Sequence, residues 1–141
     1  MFIVIAVNVM VIAVVVVIHY EFLYRFTVFM PYLKVRHRFR IVFGVFGALA
    51  AHALEVWVFA LSYFWMHHAK GWGYFEGNFQ GTLLDCAYFS FTTYTTLGIG
   101  DVTPHGEVRY LVGLEALTGF VLITWTASFL YLEMTRYWDR D

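Results

Sequence analysis

Thr95-Thr96-Leu97-Gly98-Ile99-Gly100-Asp101 is a stretch of small and apolar residues that ends on a carboxylate. Its backbone offers more chemistry than its side chains. Gly98 and Gly100, at alternate positions, allow backbone angles that other residues avoid. Successive peptide carbonyls can then point one way, where a strand would alternate them. Several copies around an axis would stack rings of oxygens able to replace the water shell of a monovalent cation. Asp101 would add a ring of carboxylates at one mouth. A second polar group is His52 and Glu55, three apart and so on one helix face. His-x-x-Glu is not the HExxH zinc pattern and no third ligand stands nearby in sequence, so a structural polar pair is expected. There is no Ser-His-Asp constellation, zinc set or phosphate-binding loop, so an enzyme is not expected. The one cysteine, Cys86, excludes an internal disulfide and is expected to pack.

The elements that position this loop must lie in a membrane. The chain has 141 residues, of which 61% are hydrophobic and 13% charged, too little polar surface for a soluble domain of this size. Three long apolar stretches stand out. The first runs from Phe2 to Ile18, broken only by Asn8, and continues in amphipathic form to Tyr24. Its first seventeen residues rise about 26 Å as a helix. With no Lys or Arg before Arg25 it lacks the basic start of a signal peptide, so a retained transmembrane helix, 1–24, is expected. A basic connection, 25–40, carries Arg25, Lys34, Arg36, Arg38 and Arg40, with a break at Pro31. The second span, 41–66, has Gly44, Gly47 and several alanines that permit close helix contact. The third is 108–132, and 133–141 is a short tail.

Seven of the nine Lys and Arg residues fall on one side: the five above with Arg136 and Arg140. By the positive-inside rule that side is cytoplasmic, which puts the N-terminus outside and the C-terminus inside. Attraction of the 25–40 cluster to anionic lipid headgroups is a secondary expectation, and nucleic acid is not an expected partner.

Residues 69–81, rich in Gly and aromatics, read as an outer loop, with His67 and His68 solvated at its start. Thr82 and Asp85 then read as an N-terminal cap and a first-turn carboxylate. The helix they begin, 83–94, is too short to span. Its C-terminal end would point at the membrane centre, where its partial negative charge favours a dehydrated cation. A short descending helix followed by the extended 95–101 makes a re-entrant loop.

On these residues the chain resembles the potassium-channel pore family, whose filter loop reads TVGYG where this one reads Thr96-Leu97-Gly98-Ile99-Gly100. Gly119 follows Arg109 by ten residues, the spacing of the hinge glycine in bacterial two-helix potassium channels. Leu114 to Gly119 and His52-Ala53-Leu54-Glu55 resemble a sub-family of small bacterial channels with an additional N-terminal helix. The resemblance covers 41–132 well and 1–40 in outline.

The resemblance implies an all-α membrane protein: three transmembrane helices, a re-entrant pore helix and a selectivity filter. It has one pore loop, and four are needed to close a filter, so a homotetramer of cyclic symmetry is expected. The implied ion ligands are the carbonyls of Thr96, Leu97, Gly98 and Ile99, followed by Gly100, with the Thr96 hydroxyl innermost. Asp101 rings the outer mouth, held by a hydrogen bond from Tyr88. Thr95 and Thr92 support the filter, Thr92 standing where some relatives carry a buried glutamate. Glu115 is expected to face the pore helix or filter backbone in place of that glutamate, as a partnered carboxylate about one turn shallower than Glu55. Counting from the Gly119 hinge, one helix face gives Phe120, Ile123 or Thr124, Ala127 and Tyr131 as cavity lining. Glu76, Asp85 and Glu107 add negative charge outside, against Lys70 and Arg109. His105, beside the mouth, reads as a solvated loop residue.

The expected function is passive conduction of potassium, the permeant ion, with no cofactor, across a bacterial inner membrane. No acidic side chain lies within 96–100, which favours potassium over sodium or calcium. Ile99 replaces the usual tyrosine and has no hydroxyl, which leaves a weakly selective K+/Na+ channel as the alternative, followed by a non-conducting membrane subunit. Apolar packing of Ile99 against Tyr88, Phe89 or Phe91 is expected to compensate in part.

Overall fold

The computed structural model describes residues 2–32 and 36–138. Lys34 and Arg140 of the basic set lie outside the described residues. The elements in chain order are α1 (Phe2–Phe29), a 3-10 turn (Met30–Tyr32), α2 (His37–His68), β1 (Tyr74–Gly77), α3 (Leu83–Tyr94), β2 (Val102–His105) and α4 (Val108–Trp138). Three helices are long and apolar enough to cross a membrane, over Phe2–Tyr32, Phe39–His68 and Val108–Arg136.

Each long helix outruns its expected bounds. α1 continues past Arg25, the first residue of the basic set, to Phe29, and Arg25 folds back on Glu21 one turn earlier, Nε to Oε2 at 3.0 Å. The 25–40 connection therefore shrinks to the turn at Pro31 and the few residues before His37. α4 continues past Leu132 to Trp138, with Arg136 paired to Glu133 at 3.0 Å. In both places an ion pair three or four residues apart suits a helix as well as it suits a solvated end.

α1 buries one stripe, Asn8, Val11, Val15, His19 and Leu23, at the three- and four-residue spacing of a single helix face. That stripe packs on α2 and α4. Gly44 and Gly47 of α2 lie under the Phe26 and Phe22 rings of α1, where an added Cβ would sit 2.8 and 2.9 Å from ring atoms. The small residues of α2 thus let a pair of aromatic side chains close against its backbone. The core gathers around α3, with Phe59 and Tyr63 of α2, Cys86 and Phe89 of α3, and Leu111 and Leu122 of α4 all buried.

The outer loop holds an unexpected element. β1 pairs antiparallel with β2, in the register Tyr74↔His105, Phe75↔Pro104, Glu76↔Thr103 and Gly77↔Val102. The fold is helical apart from this ribbon. Phe75 points into the core, 5% exposed, among Tyr63, Phe79 and Phe89. His67 is not simply solvated: its Nδ1 accepts from the Phe75 amide at 3.3 Å and its ring packs on Phe79. His105 likewise stacks on Tyr74 and reaches Glu76 Oε2 at 3.2 Å.

Candidate functional site

α3 delivers the 95–101 loop. Its start is fixed by a capping box: the Asp85 amide donates to Thr82 Oγ1 at 3.1 Å, and the Thr82 amide donates to Asp85 Oδ2 at 3.1 Å. Hydrogen bonding with Thr82, above all, holds the Asp85 carboxyl below its ordinary pKa. At the other end the chain leaves the helix through bonds to its last turn. The Thr96 amide donates to the Thr93 carbonyl and the Gly98 amide to the Thr92 carbonyl, both at 2.9 Å. The side chains of Thr95 and Thr92 turn back on α3, to the carbonyls of Phe91 at 2.7 Å and Phe89 at 2.9 Å.

Past that point φ changes sign at every residue. Thr96, Gly98 and Gly100 have φ of 59°, 54° and 84°, while Leu97 and Ile99 stay negative. Such alternation allows successive carbonyls to share one side, where a strand would oppose them. Gly98 and Gly100 supply this conformation freely, and a Cβ added at either meets nothing within 4 Å in the chain. Their requirement is therefore for the angle rather than for space. Thr96 is the lone non-glycine with positive φ among the described residues, a conformation that costs a β-branched residue roughly 1–2 kcal/mol. Nothing in the sequence signalled it.

The outer end of the loop is tied twice. The Tyr88 hydroxyl donates to Asp101 Oδ2 at 3.0 Å, which raises the pKa of the phenol. The Asp101 carbonyl accepts from the Asn78 amide at 2.9 Å, at the foot of the ribbon. Leu97 and Ile99 are 67% and 55% exposed in the single chain. Ile99 lines a cleft with Phe89, Val102, Pro104 and Val112; Tyr88 and Phe91, the other expected packing partners, are not among its walls.

Glu115 of α4 is fully buried and accepts from Ser90 of α3 and Tyr63 of α2. It faces α3, as expected, but its partners are hydroxyls and not a charged group. Glu55 accepts from Tyr94, His19 and His52. Ser90 and Tyr94 are four residues apart on α3, which places Glu55 about one turn deeper than Glu115. The expectation that His52 and Glu55 lack a third group is corrected by His19, brought in from α1. A signal for it existed: His19 follows Asn8 by eleven residues, three helical turns, so the first two polar residues of this helix share a face.

Gly119 has a packing role that the hinge expectation did not include. α4 is helical throughout, and Gly119 lies against the end of α3 so closely that a Cβ would stand 2.1 Å from the Tyr94 carbonyl oxygen. Phe120, Ile123, Thr124, Ala127 and Tyr131 are all exposed in the single chain, while Leu122 and Thr126 turn inward.

Against known proteins, a family model described as ion channel matches residues 51–136, from the middle of α2 to near the end of α4. No curated protein and no solved structure gives a match.

Proposed function

This chain belongs to the ion-channel family, and on that premise we propose that it conducts potassium passively across a membrane as a homotetramer. The observation that carries this reading is the alternation of φ along Thr96, Gly98 and Gly100. It supports four loops presenting rings of carbonyls from Thr96, Leu97, Gly98 and Ile99, with the Thr96 hydroxyl innermost and Asp101 at the mouth. The loop has no acidic side chain before Asp101, which supports potassium over sodium or calcium as the permeant ion. α3 aims its C-terminal end at the same place, where the helix dipole favours a cation. In this reading the protein needs no cofactor. The basic residues of 25–40, with Arg136 and Arg140, face the cytoplasm of a bacterial inner membrane, those of 25–40 against its anionic headgroups; the N-terminus is outside, and Phe120, Ile123, Thr124, Ala127 and Tyr131 line the inner cavity.

The exposure of Ile99 favours one second reading, a channel of weak selectivity. A filter tyrosine hydroxyl would contribute a net ~0.5–1.5 kcal/mol per subunit to restraint of the outer filter, and isoleucine has no donor. Purified protein in a planar bilayer, with potassium on one side and sodium on the other, separates the two. Selective conduction is expected, with the reversal potential displaced strongly toward potassium equilibrium and a sodium leak emerging as potassium is withdrawn. A reversal potential near zero defeats potassium selectivity, and absence of current defeats the channel.

The Tyr88 to Asp101 bond bears on the same recordings. Tyr88→Phe keeps the ring and removes the donor, so current is expected to decline faster during sustained opening. An unchanged time course would show that the bond does not hold the mouth.

A further inference from the structure

Four hydrogen bonds join His19, Glu55, His52 and Thr126 into a closed ring. Glu55 Oε1 meets His19 Nδ1 at 2.9 Å, and Glu55 Oε2 meets His52 Nδ1 at 3.0 Å. On the other side the Thr126 hydroxyl meets His52 Nε2 at 3.1 Å and His19 Nε2 at 3.3 Å. The ring crosses α1, α2 and α4, and Tyr94, the last residue of α3, donates into it at Glu55. The same hydroxyl lies 2.9 Å from His52 Nδ1; with its one proton on Glu55 it can only accept there, so it adds no proton to the ring and shares the one on that nitrogen.

A hydrogen bond holds one proton, so a closed ring of four holds four. An ionised carboxylate, two neutral imidazoles and one hydroxyl bring only three. Thr126 shows the shortfall directly. Its hydroxyl has one proton and faces two imidazole nitrogens, so it donates to one and must accept from the other.

We propose that His19, His52, Glu55 and Thr126 form an intramembrane binding site for one proton, which closes the ring at zero net charge and seats α1 and the end of α3 against α2 and α4. The count is the same whether the proton rests on an imidazole or on the Glu55 carboxyl. Neutrality is what this depth demands, because His19 and Glu55 are fully buried and an uncompensated charge in the membrane is costly. The groups facing the ring are His19 from α1, His52 and Glu55 from α2, Tyr94 from α3, and Thr126 from α4. The Trp125 ring lies beside His19, and Glu115 bonds Ser90, one turn before Tyr94 on α3. Two imidazoles and a carboxylate are also donors to a transition metal, and their donor atoms lie within 4.8 Å of one another. Here, however, all four imidazole nitrogens and both carboxylate oxygens are already engaged at hydrogen-bond distances, and a metal would have to open the ring.

Loss of the proton leaves one of the four links empty. The test is a proton count on the purified full-length protein near neutral pH. Nitrogen-15 NMR reads the histidine rings, assigned with His19→Gln and His52→Gln, and infrared absorption reads the Glu55 carboxyl. Three protons are expected in total over the four ring nitrogens and that carboxyl. Two or four would overturn the proposal, as would a transition metal at one equivalent per chain. One variant sharpens the count. Glu55→Gln supplies an amide proton of its own, so its ring closes at zero net charge without an added proton and its imidazoles should carry one each. A third proton persisting on the imidazoles of Glu55→Gln overturns the assignment.

Discussion

A chain carrying Gly119→Ala is expected to lose cation flux altogether. The new methyl would stand 2.1 Å from the Tyr94 carbonyl oxygen, 2.9 Å from its carbon and 3.0 Å from its Cα. All three are backbone atoms, so no rotamer relieves the contact, and α4 must move away from α3 by more than an ångström. Interiors do not absorb such a shift smoothly. Overpacking on this scale typically costs ~1–3 kcal/mol, here in each subunit. The damage falls on Tyr94 and the Thr92 and Thr93 carbonyls, which receive the first amides of the loop. Flux into liposomes measures the effect, with Gly113→Ala as control. At Gly113, on the same helix, an added Cβ meets nothing within 4 Å, and wild-type flux is expected. Full flux from Gly119→Ala would show that α3 and α4 are not in contact there in the working protein.

Glu115→Ala is expected to produce the largest loss of stability, with Glu115→Gln close to wild type. Alanine strands the buried hydroxyl of Tyr63, at a cost of about 1–3 kcal/mol, leaves Ser90 with the Val56 carbonyl alone, and opens a cavity besides. Glutamine differs because of how the protons divide. Ser90 Oγ lies 3.0 Å from the Val56 carbonyl as well as against Glu115, yet it has a single proton. If Ser90 donates to Val56, Glu115 must supply the other proton as a neutral acid, a role that an amide N–H reproduces. Thermal denaturation of the two variants in detergent tests the pattern. Equal damage from both would mean that Glu115 acts through its charge, and no damage from alanine would mean that the three helices are held by other contacts.

The spans were legible because long apolar stretches leave few alternatives, and the start of α3 was legible in Thr82 and Asp85, whose spacing has one structural use. The alternation at Gly98 and Gly100 was legible for the same reason. Three features were not. The ribbon of β1 and β2 escaped because Tyr74–Gly77 has a single buried side chain, Phe75, and Gly and Asn crowd its ends, so no period of two could form. His52 was legible as a partner of Glu55, but His19 and Tyr94, and the Tyr63 and Ser90 partners of Glu115, escaped because they lie on other helices, and which faces of those helices meet is set by packing rather than by spacing. Thr96 escaped because its positive φ is imposed from outside, by the bonds of its own amide and that of Gly98 to the last turn of α3.

An epitope spliced into the outer loop would meet two different fates within a few residues. At Gly71 the chain turns with φ +88° and open space around it, so added length is lost into solvent. At Gly73 and Gly77 the backbones touch, with an added Cβ only 2.0 Å from the His105 carbonyl oxygen and 2.2 Å from that of Asp101. One residue inserted between them would slip the ribbon by a step, and a one-step slip turns every side chain to the opposite face. Phe75 would leave the core, and the Asn78 amide would lose its hold on Asp101. The stretch from Gly73 to Asn78 therefore works as a ruler laid along the end of the 95–101 loop. Its sequence has freedom on the exposed face, but its length has almost none, and natural variation in loop size or inserted labels belongs at residues 69–71.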